Sequence, residues 1–556
     1  MTHLPRLSTL IVSPLLLVAP LLAAVQDDEV AAEPTQEEEA EAKAPAPPKA
    51  KVRKRLQGSL PLSWSEQLTW RSIGPANMGG RITSMDVHPN DASTYWVGTA
   101  GGGVLKTTNN GVTYEHQFTN QDTSSIGAVA VSPSNPDQVW VGTGENNPRN
   151  SVSWGDGIYK SYDGGASWHH MGLGDSFQIS TIIVHPENPD IVYVGALGHL
   201  WGPNPERGLF KTTDGGESWE KVLFVDDLTG VIDIRMQPGN PEVLLVATYE
   251  RERDLYCSND PAKKWGPGSG LYRTADGGAT FTKVTDGLPS VTLGRIGIDW
   301  YVADPNVVYA VVESERITQD RLNAPYMGLN GESAGAVGAR MTAVTEDGPA
   351  AESGFKKDDI LVRFDGNTVL GWDSLVDSLL DYKAEDKVEV EVVRDKETVT
   401  FEFTLGSRPV EEDNTDSLGY PSSGPFGGGL GGQRENIQDQ QGEEGHEHGG
   451  LFRSDDAGLT WTRINSVNPR PMYYSEVRVD PSDSNHIYVL GTSLYRSKDG
   501  GKTFTSDGHD GSVHVDHHAM WVDPRDGRHI MLGNDGGLYV TWDRMENWDQ
   551  IGRAHV

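Results

Sequence analysis

KSYDGGASW (160–168) and KTTDGGESW (211–219) are two copies of one nine-residue turn. It returns as RTADGGATF (273–281), RSDDAGLTW (453–461) and RSKDGGKTF (496–504). KTTNNGVTY (106–114) and VTWDRMENW (540–548) are looser copies. The shared pattern is Ser/Thr-x-Asp-x-Gly-x-Ser/Thr-aromatic. Its chemistry is that of a turn: the carboxylate accepts backbone N–H groups, and glycine supplies a positive φ that other residues resist. Asp163, Asp214, Asp276, Asp456 and Asp499 therefore read as turn residues rather than catalysts, and the aromatic that follows reads as packing between repeats.

Around each turn lies a larger unit. TIIVHP is a strand, ENPD a turn and IVYVGA a second strand; a variable loop then leads to GLFKTT, the boxed turn, and a fourth strand that starts at the aromatic. Four short strands per repeat predict propeller blades. The turns are spaced by 54, 51, 62, 180, 43 and 44 residues, so the long gap holds one blade plus an insertion. LTWRSIGP (68–75) reads as a stray fourth strand that closes the ring against a last blade lacking a complete one. The fold class is all-β: a β-propeller of about seven four-stranded blades, with an inserted α/β domain resembling PDZ.

The nine-residue turn resembles the Asp box, or BNR repeat. WRSIGPANMGGRI, RENIQDQQG, NPRPMYYSEVRVDP and HVDHHAMWVDPRDGRH resemble segments of exported bacterial sortilin-type propellers, a family whose members are often labelled glycosyl hydrolases. That label follows the fold, and a fold does not fix chemistry. The FRIP-type motif of Asp-box sialidases is absent from the sequence. Where xyloglucan-active propellers carry an Asp before a Gly-Gly, GTAGGGV places Thr99.

In the insertion, GPAAESGFKKDDILVRFDG and the hairpin through Arg394 and Asp395 resemble a bacterial PDZ domain. The resemblance implies that Tyr326, Met327, Gly328 and Leu329 form the loop that offers N–H groups to a peptide's C-terminal carboxylate, the peptide adding as a strand beside it. Leu375 and Leu379, on a helix from 374 to 382, would line the side-chain pocket. GESAGAVGA departs from the family by adding small residues after the loop. A degenerate module serving as a spacer is the alternative.

The domain reading is a signal peptide (1–25), a disordered linker (26–60), blades (61–320), the PDZ-like domain (321–408), a Gly/Glu/Gln-rich flexible linker (409–449), and further blades (450–550) that read as truncated before a non-native tail, IGRAHV (551–556). Arg6 followed by the apolar run 10–22 carries the signal; Pro14, Pro20 and the shortness of the run argue against a spanning helix, with an uncleaved anchor as the alternative, and no integral span is expected after cleavage. Localisation is periplasmic or extracellular. A net charge of −34 excludes a basic nucleic-acid face. Cys257, the one cysteine, excludes an internal disulfide.

The loops between second and third strands share the face opposite the boxed turns and are long: GENNPRNSVSWGD from Gly144, GHLWGPNPERG from Gly198, and YERERDLYCSNDPAKKWGPGSG from Tyr249. Long charged and aromatic loops gathered on one face predict binding there. Trp154, Trp201 and Trp265 are candidates to stack on a sugar or peptide. Arg81, Gln178, Arg295, Tyr473, Tyr474, His514, His517 and His518 are placed at the channel mouth by the links between blades. Asp516 and Asp535 are the candidate catalytic carboxylates of a glycoside hydrolase, which needs two in opposition. His514, Asp516 and His518 are candidate ligands for a divalent metal; strand alternation and a plain hydrogen-bonding network compete with that reading. The leading expectation is a scaffold binding protein C-termini or glycans, and the alternative is a glycoside hydrolase at the channel mouth.

Overall fold

A computed structural model describes residues 80–253, 261, 263–316, 325–335, 338–379, 382–407, 432–507 and 513–553. The chain divides into two units, Met1–Ser72 and Ile73–Val556, and every described residue belongs to the second. The expected signal peptide, the linker up to 60 and the LTWRSIGP strand lie outside the described residues.

Among the described residues, seven four-stranded antiparallel sheets form from the repeats. Blade 1 comprises Ile82–Val87, Tyr95–Thr99, Val104–Thr107 and Glu115–His116. Blades 2, 3 and 4 span 126–170, 179–223 and 229–284, and blades 6 and 7 span 476–507 and 517–553. Blade 5 is split: Leu293–Trp300 and Val308–Ser314 pair with Gly450–Ser454 and Thr462–Asn465 across the insertion. The first strand of each blade lies beside that of the next, and blade 7 meets blade 1, so the sheets close a ring around a channel.

Three repeated devices fasten neighbouring blades. The boxed turns behave as the pattern requires: Asp163 accepts hydrogen bonds from the Ser167 N–H (2.8 Å) and the Ser161 hydroxyl (2.8 Å), and Asn109 does the same work in blade 1. In blades 1 to 4 the Lys or Arg that opens the box reaches the backbone of the next box, whereas Arg453 of blade 5 turns to Asp455 and the Tyr309 hydroxyl. Lys106 donates to Gly164 O, Lys160 to Gly215 O, Lys211 to Gly277 O and Arg273 to Ala457 O. In the channel, Asp86, Asp233 and Asp299 accept the N–H groups of Val131, Ile298 and Val479 in the following blades.

The third device is a missing side chain. A Cβ on Gly98 would lie 2.6 Å from Ile126 Cγ2, and one on Gly533 would lie 2.5 Å from Ile82 Cγ2. Gly142 and Gly195 leave the same room for Ile179 and Val231. Each second-strand glycine thus admits a β-branched residue from the next blade, and the Gly533 pair closes the ring.

Two expectations are corrected. Blade 7 has its own fourth strand, Asp549–Arg553, paired with Gly537–Thr541. Ile551, assigned to a non-native tail, packs against the blade 7–blade 1 core. The second half of the return linker is not a loose tether. Residues 432–449 fold into short turns in which Glu447 accepts the Ser290 and Val291 N–H groups and Asn436 bonds Asn465 and Phe504. Glycine-rich composition concealed polar side chains that satisfy the exposed backbone of blades 5 and 6.

The insertion forms its own core, from Met327 through Leu361, Phe364 and Val390 to Phe403. Its sheet runs Leu329–Ser333, Ala339–Val344, Ile360–Phe364, Lys387–Arg394 and Glu397–Thr404 in spatial order, with helices Pro349–Ser353 and Trp372–Ser378. Pro325–Tyr326 pairs with Gly406–Ser407, bringing the two ends of the insertion together. Buried Asp359 is held by Arg394 at 2.7 Å.

Candidate functional site

In an up-and-down blade, the link that precedes the first strand and the loop between second and third strands emerge at the same end. Contacts among these segments from all seven blades build one polar network at the channel mouth. Arg81 of blade 1 pairs with buried Glu145 of blade 2, its Nη2 lying 3.2 Å from Oε2. Glu145 also accepts the Asn147 amide at 2.8 Å, and its carbonyl accepts the Gln178 amide of blade 3 at 2.6 Å. Arg251 of blade 4 donates to the Gln178 amide oxygen and to Asn146 O. Arg253 donates to Pro148 O at 2.8 Å, and Arg295 of blade 5 to Tyr473 O at 2.9 Å.

Tyr473, just ahead of blade 6, is the hub. The Arg470 guanidinium lies 4.5 Å from its ring centroid and that of Arg149 lies 6.0 Å away. Its ring edge meets Tyr474 and His518. Tyr474 donates its hydroxyl proton to Asp516, and His518 Nε2 lies 3.0 Å from Asp535 of blade 7. Arg470, Ser475 and Asp516 hold positive φ values of 42°, 43° and 66°. Strained non-glycine backbone of this kind concentrates where geometry matters more than local stability.

Below the mouth lies a channel cavity of about 390 Å³, lined by all seven first strands and including Asp86, Asp233, Arg235, Asp299, Glu476 and Arg478. Burial pushes Asp86 up to about 6, against the pull of two backbone N–H groups, and pushes Asp299 and Glu476 up as well. Burial drags the Arg251 guanidinium down to about 9, and repulsion from Arg207, Arg295 and Arg253 adds to the fall. Burial would raise Asp535, yet the hydrogen bond and charge of His518, with Arg81 and His514 nearby, hold it below the ordinary carboxylate range.

Arg81, Gln178, Arg295, Tyr473, Tyr474, His518 and Asp535 thus meet at one mouth. Asp516 is engaged by Tyr474 in the same cluster. His517 is buried in the first strand of blade 7, opposite Asn534 at a register shift, and burial lowers it to about 3. Trp201 sits under the Arg253 guanidinium at 5.8 Å. Trp154 is 65% exposed, whereas Trp265 is buried.

The metal reading is corrected. His514 directs Nδ1 to Val515 O, His518 turns to Asp535 and Asp516 faces Tyr474, so the trio does not converge. Among the described residues no three His, Cys, Asp or Glu side chains are grouped to hold a metal. Arg149, Arg251, Arg253 and Arg470 were missed by sequence reasoning; Arg251 and Arg253 stand in a loop flagged for its length, beside the feature that mattered.

The second candidate site is on the insertion. Leu329–Ser333 is an edge strand, and the helix Trp372–Ser378 lies alongside it. Met327 and Gly328 precede the strand, Gly328 at φ 75°, and their N–H groups donate to no oxygen among the described residues. Their carbonyls are engaged, by the N–H groups of Ala350 and Thr345. Tyr326 is tied into the short ladder with Gly406. Leu375 is corrected: it is 1% exposed and belongs to the core, because the helix turns that side inward. Trp372, Val376 and Leu379, at i, i+4 and i+7, share the helix face that is half-buried. Trp372 covers Gly331 of the edge strand so closely that a Cβ there would collide with the indole.

Comparison with known proteins gives two family matches: a PDZ domain over residues 294–405, and the sortilin, neurotensin receptor 3 family over residues 156–323. A xyloglucanase of a Paenibacillus species is 25% identical over 261 residues, which is 42% of this chain and 24% of the relative. A probable oligoxyloglucan-reducing end-specific xyloglucanase of Neosartorya fischeri is 30% identical over 99 residues, 17% of this chain and 10% of the relative. The chain therefore spans a quarter or less of the length of these relatives. Among solved structures, YCF48 bound to D1 peptide shares 12% identity with a TM-score of 0.40, covering 85% of this chain and 98% of that one. A GH74 enzyme of Niastella koreensis shares 16% identity with a TM-score of 0.31, covering 84% and 69%. No helix among the described residues is long and apolar enough to cross a membrane.

Proposed function

We propose that this chain, a sortilin-type Asp-box propeller with a PDZ domain spliced into its fifth blade, is an exported binding scaffold. The PDZ domain captures the C-terminus of a polypeptide, and the propeller engages a second ligand through its loop face. The observation that carries this reading is the edge strand Leu329–Ser333, preceded by two N–H groups that meet no acceptor among the described residues. An unpaired edge beside a helix invites strand addition, and the Met327 and Gly328 N–H groups are placed to receive the terminal carboxylate. The apolar run 10–22 supports export. Screening the full chain against a display library of free C-termini tests the reading. Enrichment of a consensus in the last four residues is expected, and enrichment of internal sequences alone would refute it.

A second reading, glycoside hydrolysis at the channel mouth, is favoured by the two relatives named as xyloglucanases. Asp535, held ionised by His518, would act as base or nucleophile, and Asp516 would need to release Tyr474 to serve as acid. Reducing-end release from xyloglucan, lost in Asp535→Asn, establishes it. Absence of release from xyloglucan and other β-glucans eliminates it.

A further inference from the structure

The edge strand Leu329–Ser333 turns alternate residues toward the helix Trp372–Ser378. Leu329 packs against the core of the insertion. The Ser333 hydroxyl accepts the backbone N–H of Trp372 at 2.9 Å. Between them, a Cβ on Gly331 would collide with Cε3 and Cζ3 of Trp372. Residues 329, 331 and 333 therefore share the face toward the helix, as a period of two requires, and Asn330 and Glu332 are exposed. Gly331 leaves a side chain out of that face, and the benzo edge of the indole fills its place. An aromatic laid over an edge glycine in this way restores the apolar cover that the glycine lacks.

A peptide whose terminal carboxylate meets the Met327 and Gly328 N–H groups ends at the start of this strand, so it runs antiparallel to it. Its side chains alternate. The last one falls beside Leu329 and the third from last falls beside Gly331, against the indole. The helix matches this spacing. Val376 and Leu379 stand about 6 and 10 Å along the helix from Trp372, at about 1.5 Å per residue. Two strand residues cover about 7 Å. Val376 and Leu379 thus serve the last residue, and Trp372 serves the third from last.

That helix face gives the third residue from the end no polar partner among the described side chains. Ser374 is occupied by the N–H groups of Leu370 and Gly371, at 2.9 and 3.1 Å, and Asp373 is exposed. The indole N–H lies on the side of the ring opposite the edge that covers Gly331. A hydroxyl or carboxylate placed there would give up water without gaining a hydrogen bond, whereas an apolar side chain would bury surface on the ring.

We propose that the PDZ domain selects C-termini with apolar residues at the last and third-from-last positions, and that Trp372 is the specificity-determining residue for the latter. The inference rests on the reading of residues 326–329 as the carboxylate loop and names the class of terminus taken there.

Fluorescent peptides titrated with the full chain by anisotropy test it. They are identical but for their ends, Leu-Gly-Val, Ala-Gly-Val, Thr-Gly-Val and Asp-Gly-Val, each as free acid and as amide. The Leu peptide should bind about tenfold or more tightly than the Thr and Asp peptides, the worth of one buried aliphatic side chain. Trp372→Gln puts an amide where the ring was, and should lower the Leu-to-Thr ratio at least about fivefold while the free acid stays preferred over the amide. Gly331→Ala pushes the indole aside and should erode the same ratio. Equal binding of the Leu and Thr peptides, tightest binding of the Ala peptide, or an unchanged ratio in Trp372→Gln would each overturn the proposal. A free-acid preference without a third-residue preference removes this inference alone. Binding of none of the peptides, or of acid and amide alike, removes the carboxylate-loop reading and this inference with it.

Discussion

Ring closure by absent side chains can be tested at the blade 1–blade 2 seam with Gly98→Ala. The new Cβ would stand 2.6 Å from Ile126 Cγ2, 3.1 Å from Val129 Cγ2 and 3.3 Å from Ile126 Cβ. The first distance is far inside van der Waals contact, and Ile126 is fully buried, so it cannot swing away. Overpacking of this kind costs about 1–3 kcal/mol. Ile126→Ala alone removes a buried side chain and costs about 2–5 kcal/mol. In the double variant the 2.6 Å clash disappears and the new methyl occupies part of the vacated space, so the two losses should fall short of additivity by about 1 kcal/mol or more. Urea unfolding of the four proteins, followed by tryptophan fluorescence, gives the cycle. Additivity within about 0.5 kcal/mol would show that the glycine is there for some other reason and would refute the device.

Four further outcomes follow from the same geometry. Asp163→Ala should lower the unfolding midpoint while Asp163→Asn should nearly keep it, because Asn109 already serves blade 1 in that role; thermal melts of the pair decide it. Lys160→Met leaves Gly215 O without its side-chain donor and should destabilise by about 1–3 kcal/mol, read in the same melts. Acid should weaken the fold in two stages. His517, lowered by burial to about 3, is charged more readily in the unfolded chain, so stability falls as pH drops below about 6.5; the box carboxylates Asp163, Asp276 and Asp456, lowered to about 2 chiefly by hydrogen bonds within the turn, add a loss from about 4 down to about 2. His517→Asn should flatten the upper stage in melts from pH 7 to 4. Gly328→Val forces a β-branched residue to φ 75° and should abolish capture of a free C-terminal peptide, read by fluorescence anisotropy.

The boxed turns were legible because their chemistry is local: Asp163, Ser161 and Ser167 find one another within seven residues. The Lys or Arg that opens most boxes was visible as a repeat but not as a tie, since the partner lies in the next blade, 58 positions on for Lys106 and 55 for Lys160. The fourth strand of blade 7 was not read as complete because DQIGR follows a degenerate box, VTWDRMENW, and shows no alternation; its pairing with Gly537–Thr541 is what defines it. The face of the site was legible from loop length, since a blade meander fixes which loops share an end. Its charge pattern was not. Arg149 comes from blade 2 and Arg470 from the segment before blade 6, and only ring closure sets both at the Tyr473 ring, as it brings Arg251 of blade 4 to Asn146 and Gln178. In the PDZ domain the loop 326–329 carried its own signature. Leu375 was misplaced because helical spacing alone did not separate the core side from the groove side that Trp372 and Val376 occupy.

The central claim is that the PDZ domain takes a free C-terminus, and the most direct measurement compares one peptide in two forms. A fluorescent peptide chosen from the C-terminal library is titrated with the full chain by anisotropy, first as the free acid and then as the terminal amide. The free acid should bind, and the amide should bind at least about tenfold more weakly, because the amide lacks the charge that the Met327 and Gly328 N–H groups would meet. Equal affinity for the two forms would contradict the account.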